Sequence, residues 1–132
     1  MKIDHIGIAV KSLTEAAKVY EQAFGLSVSG VDQVDEQGVR VAMLNIGESR
    51  LELLESTRQD SPIGKFVSKR GEGLHHIAVQ VENIEAALAK LKASGVRLID
   101  ETPRRGAHNT RTAFIHPSST HGVLLELVEH GE

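Results

Sequence analysis

Two histidines and two glutamates stand out because their surroundings are written twice. His5 lies in Asp4-His5-Ile6-Gly7-Ile8-Ala9-Val10 and His76 in His75-His76-Ile77-Ala78-Val79-Gln80-Val81, 71 residues later. Glu52 lies in Leu51-Glu52-Leu53-Leu54 and Glu126 in Leu125-Glu126-Leu127-Val128, 74 residues later. Two imidazoles and two carboxylates form a mixed nitrogen and oxygen donor set suited to a divalent first-row metal, with coordination positions left for substrate or water. A lone strand histidine is most often structural, but a His/Glu pair that recurs at equivalent positions of a repeat has the pattern of a ligand set. Of the other five histidines, His75 faces away from the ligand side, His121 falls in a loop and His130 in a frayed tail, so these three are read as structural. His108 and His116 are read as neighbours of a substrate.

The elements that must hold these groups follow from the same duplication. Ser12-Leu13 aligns with Asn83-Ile84, Ala16 with Ala87, Gly25 with Gly95, and Arg40-Val41-Ala42-Met43-Leu44 with Arg111-Thr112-Ala113-Phe114-Ile115. Residues 3–10 have the β-branched content of a strand. Ser12-Leu13-Thr14-Glu15 reads as a capping box, followed by an apolar helical stripe of Leu13, Ala16, Ala17, Tyr20, Ala23 and Phe24 that ends at Gly25. Strands are expected near 27–34, 38–46 and 50–55. In the second half Asn83 caps a helix with the stripe Ile84, Ala87, Leu88 and Leu91, ended by Gly95, and strands are expected near 96–100, 111–115 and 123–129. The pattern is βαβββ twice, module 1 over about 1–56 and module 2 over about 74–132. Pro62 and the spacing of Ile63, Phe66 and Val67 place a short helix in the connector 57–73. A module of about 60 residues is marginal alone, so the two are expected to share one α+β domain spanning 1–132.

Strand alternation puts His5 on one face with Ile3, Gly7 and Ala9, and His76 with Leu74, Ala78 and Gln80, so small residues leave a hollow beside each imidazole. Glu52 and Glu126 each stand between leucines, where an ionised carboxylate needs a partner once its face is covered.

Composition excludes several classes of function. The 132 residues carry 15 Lys plus Arg against 18 Asp plus Glu, a formal charge of -3 with no sustained basic run, which argues against nucleic acid. The four aromatics, Tyr20, Phe24, Phe66 and Phe114, are too scattered for a base-stacking platform. The absence of cysteine rules out disulfides and thiolate metal sites. No apolar run approaches a membrane span and no signal-peptide pattern follows Met1, so a soluble, cytoplasmic protein is expected.

DHIGIAV, the run RLELLE followed by DSPIGKF, LHHIAVQV and FIHPSSTHGVLLELVE together resemble the methylmalonyl-CoA epimerase family of the vicinal oxygen chelate superfamily, over essentially the whole chain. The resemblance implies an open, cupped sheet of paired βαβββ modules around a divalent metal, which could be Co, Mn, Ni, Zn or Mg, held by His5, Glu52, His76 and Glu126. It implies interconversion of the two epimers of methylmalonyl-CoA through an enolate, with Glu126 and Glu52 as acid/base groups, and a homodimer with neither a nucleic-acid nor a membrane partner. Gln80, Arg104, His108, His116, Ser118 and Ser119 are candidate substrate contacts. Three positions depart from the family pattern. Val41 stands where some members carry a catalytic Glu, Ser118 where Lys is frequent, and Asn109 where Gly is frequent. A lactoylglutathione lyase can use the same ligands, a ring-cleaving dioxygenase would use a His/His/Glu triad, and a metal-free binding or resistance protein of this fold should lack the quartet.

Overall fold

The computed structural model describes residues 1–131 and divides into two compact units, one of residues 5–75 and one of residues 1–4 together with 76 onward. The chain therefore passes from one unit to the other between Asp4 and His5, and again between His75 and His76.

In the unit of residues 5–75, β1 (Lys2–Ala9) leads to α1 (Leu13–Phe24), then β2 (Val28–Val34), β3 (Val39–Ile46), β4 (Ser49–Ser56) and α2 (Pro62–Arg70). The strands lie in the order β2-β3-β4-β1, with β1 parallel to β4 and the other pairs antiparallel. Leu13, Ala16, Ala17 and Tyr20 of α1 pack on Ile8, Val10, Ala42, Leu44, Leu51 and Leu53, as the stripe predicts. Phe24 departs from that expectation: it is 67 % exposed and stacks on Tyr20, and Ala23 is exposed too. The reason lies in the helix stop. Gly25 takes the left-handed conformation at φ 69°, donating to Glu21 while Leu26 N–H donates to Tyr20, and this turn folds Leu26 into the core instead.

The other unit runs β5 (Gly73–Gln80), α3 (Ile84–Ala93), β6 (Arg104–Arg105), β7 (Thr110–Ile115) and β8 (Leu125–His130), with strands ordered β5-β8-β7-β6. β5 is parallel to β8, matching β1 and β4 in the first unit. Ile84, Ala87, Leu88 and Leu91 pack on Ala113, Ile115, Leu125 and Leu127. The βαβββ order is kept, but the strand expected near 96–100 is not formed. There the ladder is replaced by other partners: Phe114 N–H donates to the Asp100 carboxylate, Arg97 N–H to Ser119 Oγ, and only Leu98 bridges to Ile115. The third strand is instead the two-residue β6. The α+β class expected from the sequence holds in both units.

Candidate metal centre

Each unit builds its own His/Glu pair in the same way. In the first, His5 lies on β1 and Glu52 on the adjacent parallel strand β4, where Gly7 is the residue in register with Glu52. His5 Nε2 and Glu52 Oε2 lie 3.4 Å apart, with both side chains buried. In the second, Ala78 is in register with Glu126 across β5 and β8, and His76 Nε2 lies 3.2 Å from Glu126 Oε1, again with both side chains buried. The residue opposite each carboxylate is small, so an imidazole two positions earlier on that strand can lean across to it. On the other side each carboxylate faces a large apolar residue, Met43 of β3 opposite Glu52 and Phe114 of β7 opposite Glu126. The Phe114 ring meets His76 edge-on, with centroids 5.5 Å apart.

A buried carboxylate against a buried imidazole, present once in each unit, fits a cation that takes nitrogen and oxygen donors. The repeat carries no Lys or Arg at the positions flanking Glu52 and Glu126, which are leucines on both sides.

Val41 lies two residues from Met43 and therefore on the Glu52 face; it is in register with Leu54 of β4 and Asp32 of β2, and it is 2 % exposed. An alkyl group there packs and moves no proton.

The remaining candidates are spread over the unit of His76. Gln80 ends β5 on the His76 face and is half-buried. Arg104 is exposed on β6, 3.4 Å from Asp100. His108 is half-buried in the turn before β7, where it and Asn109 have φ of 56° and 58°. His116 Nδ1 accepts Ser118 N–H at 3.0 Å, capping the 3₁₀ turn Pro117–Ser119. His121 is also left-handed, at φ 57°. His130 is not in a frayed tail: it ends β8, and its Nε2 lies 2.5 Å from the carboxylate of buried Asp4.

Two further carboxylates escaped the sequence reading. Glu55 Oε1 accepts Leu13 N–H at 2.6 Å, and Glu129 Oε2 accepts Ile84 N–H at 2.9 Å. Each lies three residues beyond a candidate ligand, on the opposite face of the same strand, and each satisfies an N–H at the start of the helix packed there. The Ser12 side chain accepts Glu15 N–H as the capping box requires, but the first-turn N–H of Leu13 goes to Glu55. Glu129 also pairs with Arg111, which bridges to Glu85. The Ile84 N–H and then the Arg111 guanidinium hold Glu129 below the usual glutamate range, and Arg111 does the same for Glu85. The signal was available in the repeat, since Glu55 and Glu129 are 74 residues apart like Glu52 and Glu126.

The model of the Glyoxalase/Bleomycin resistance protein/Dioxygenase superfamily matches residues 4–114. The chain belongs to this superfamily. Among superfamily members, it is 44% identical over 128 residues to an uncharacterized protein of Bacillus subtilis, covering 97% of this chain and 91% of that protein. It is 39% identical over 127 residues to the mitochondrial methylmalonyl-CoA epimerase of Homo sapiens, covering 96% and 72% respectively. A solved Streptomyces coelicolor methylmalonyl-CoA epimerase variant in complex with 2-nitronate-propionyl-CoA superposes with a TM-score of 0.96 at 44% identity, covering 99% of this chain and 95% of that one. Among the described residues, no helix is long and apolar enough to cross a membrane.

Proposed function

We propose that the protein is a metal-dependent epimerase that interconverts (R)- and (S)-methylmalonyl-CoA. The observation that carries this reading is the buried His/Glu pair built twice, once in each unit, at 3.4 Å and 3.2 Å. The methylmalonyl-CoA epimerases to which the chain is similar over nearly its whole length support the choice of substrate.

In this reading His5, Glu52, His76 and Glu126 together hold one divalent cation, which supplies Lewis-acid polarisation of the thioester carbonyl and stabilises negative charge on its oxygen. The two histidines act as neutral donors and take no part in proton transfer. Epimerisation needs a proton removed from one face of the α-carbon and returned on the other, hence two acid/base groups. Glu126 takes that role on one side. Val41 cannot take it on the other, so the repeat partner Glu52 does, and the carboxylates of equivalent positions meet opposite faces of the substrate. Gln80, Arg104 and His108 are assigned to substrate contact, with Ser118 where a cation would pair with the substrate. His116 and Ser119 act through the backbone groups they already hold. The protein is proposed to work as a cytoplasmic homodimer, its acidic balance and lack of a basic run leaving nucleic acid and membranes out of its partners.

The test is incubation with one epimer of methylmalonyl-CoA in deuterium oxide, with and without chelator. Metal-dependent α-deuteration with loss of stereochemical purity is expected. No exchange in the metal-replete protein would overturn the reading.

A further inference from the structure

Within the unit of residues 5–75 the structure has a cleft of about 950 Å³, bounded by Val10 and Lys11 after β1, residues 55–59 at the end of β4, and Gly64, Lys65, Val67, Ser68 and Lys69 of α2. Its lining holds four cations, Lys11, Arg58, Lys65 and Lys69, against one carboxylate, Glu55. That carboxylate is already engaged, since it accepts Leu13 N–H at the start of α1. Arg58 is fixed in place, with Nε 3.1 Å from Asp60 and its guanidinium donating to Asp35 O at 2.9 Å. The three lysines are different. Among the described residues no acidic side chain pairs with the ammonium of Lys11, Lys65 or Lys69, although all three line the same cleft. Three such charges, brought together from two parts of the chain and left without counter-ions, repel one another, and an incoming polyanion relieves that repulsion.

We propose that this cleft receives the phosphorylated nucleotide end of the coenzyme A thioester. The inference rests on the epimerase reading and assigns a part of the substrate which that reading leaves without partners. Coenzyme A carries a pyrophosphate and a 3′-phosphate at the end remote from the sulfur. Compact lysine ammoniums recognise such groups as point charges.

The spacing along β4 fits. Glu52, Leu54 and Ser56 share one face of the strand, and Ser56 lines the cleft. At about 3.3 Å per residue, Glu52 and Ser56 are roughly 13 Å apart. That is shorter than the extended pantetheine arm, so a thioester held beside Glu52 can lay its arm along β4 and deliver its phosphates to α2. Two features keep the cleft's form fixed while it is empty or filled. Ser61, fully buried, caps α2 by accepting Gly64 N–H and hydrogen-bonds Ser56 Oγ at 2.7 Å. Gly64 packs so tightly that a Cβ would come within 2.6 Å of the Gln59 carbonyl.

The experiment compares methylmalonyl-CoA with methylmalonyl-pantetheine, which has the same reacting end and no phosphates, using the metal-replete full chain and its Lys65→Gln/Lys69→Gln variant. For methylmalonyl-CoA the variant is expected to raise KM about tenfold, as two exposed charge pairs would, with kcat changing by less than KM. The difference in KM between the two thioesters should narrow, and the effect should fade as salt is raised from about 0.05 M to about 0.5 M. A variant that shifts KM equally for both thioesters, or for neither, overturns the proposal while leaving the epimerase reading intact. If the unsubstituted protein turns over neither thioester, the epimerase reading fails, and the cleft is judged by titration with 3′-phosphoadenosine 5′-phosphate. Amide shifts confined to residues 55–59 and 64–69, and lost in the variant, then support an anion site. Their absence refutes it.

Discussion

Replacing Glu52 by Gln removes a proton acceptor and keeps an oxygen donor in the same place. Glu52 is held 3.4 Å from His5 Nε2 between β4 neighbours Leu51 and Leu53, so the amide inherits a fixed position rather than a new rotamer. Its loss as a base is then the main effect. A positioned general base contributes about 10²–10⁴ in rate, which corresponds to roughly 2.7–5.4 kcal/mol on the barrier. Because epimerisation needs both proton transfers, turnover in either direction should fall by that factor. Exchange should not fall alike for the two epimers. The one whose α-proton faces Glu126 should still take up deuterium, while its mirror partner should not. The assay is α-proton exchange followed by NMR from each purified epimer in deuterium oxide, at saturating cation, with metal content measured on the same sample. Full metal content with both epimers exchanging and epimerisation within about threefold of the unsubstituted protein would refute the assignment of Glu52 as a base.

Three further expectations concern the supports. His76→Ala should lower metal content after dialysis together with activity, since it removes a donor; full occupancy with slow turnover would make His76 something other than a ligand. Glu55→Ala leaves the Leu13 N–H without its carboxylate, which should cost about 1–3 kcal/mol and lower the melting temperature by about 3–10 °C, as read by calorimetry; an unchanged transition would show that water replaces the cap. Glu129 and Glu85 are held below the usual glutamate range, by the Ile84 N–H and Arg111 for the first and by Arg111 for the second. A depressed carboxylate stabilises the fold above its unfolded pKa and loses that contribution as pH falls through its folded value. Melting temperature should therefore drop from about pH 5 downward, more steeply in the unsubstituted protein than in Glu129→Gln, and parallel curves would count against the network.

The duplication made much of this legible. His5 with Glu52 and His76 with Glu126 could be paired because a repeat multiplies weak signals: a histidine in a strand says little, and the same histidine recurring with the same glutamate says a good deal. Local rules served where the contact was local, as in the Ser12 and Asn83 caps, the stop at Gly25 and the helix beginning at Pro62. They failed where a partner lay far along the chain. The Glu55 and Glu129 contacts span 42 and 45 residues, and His130 reaches Asp4 across 126. The segment 96–100 has β-branched residues and a strand-like look, yet its groups find side-chain partners in Asp100 and Ser119 instead of a ladder, which periodicity cannot foresee.

The two glutamates on each of β4 and β8 bear on which insertions and deletions this chain can survive. Glu52 and Glu55 leave opposite faces of one strand, so gaining or losing a single residue between them would put both on the same side. Either the helix would lose its carboxylate or the metal its donor, and no compensating shift elsewhere could restore both. Length changes are then confined to the turns. The chain carries a record of this: the offset between the halves is 71 from His5 through Leu44 and 74 from Leu51 onward, so the three extra residues entered the turn that precedes β8. A library of single-residue insertions should show the same boundary, with tolerated positions ending where β4 and β8 begin.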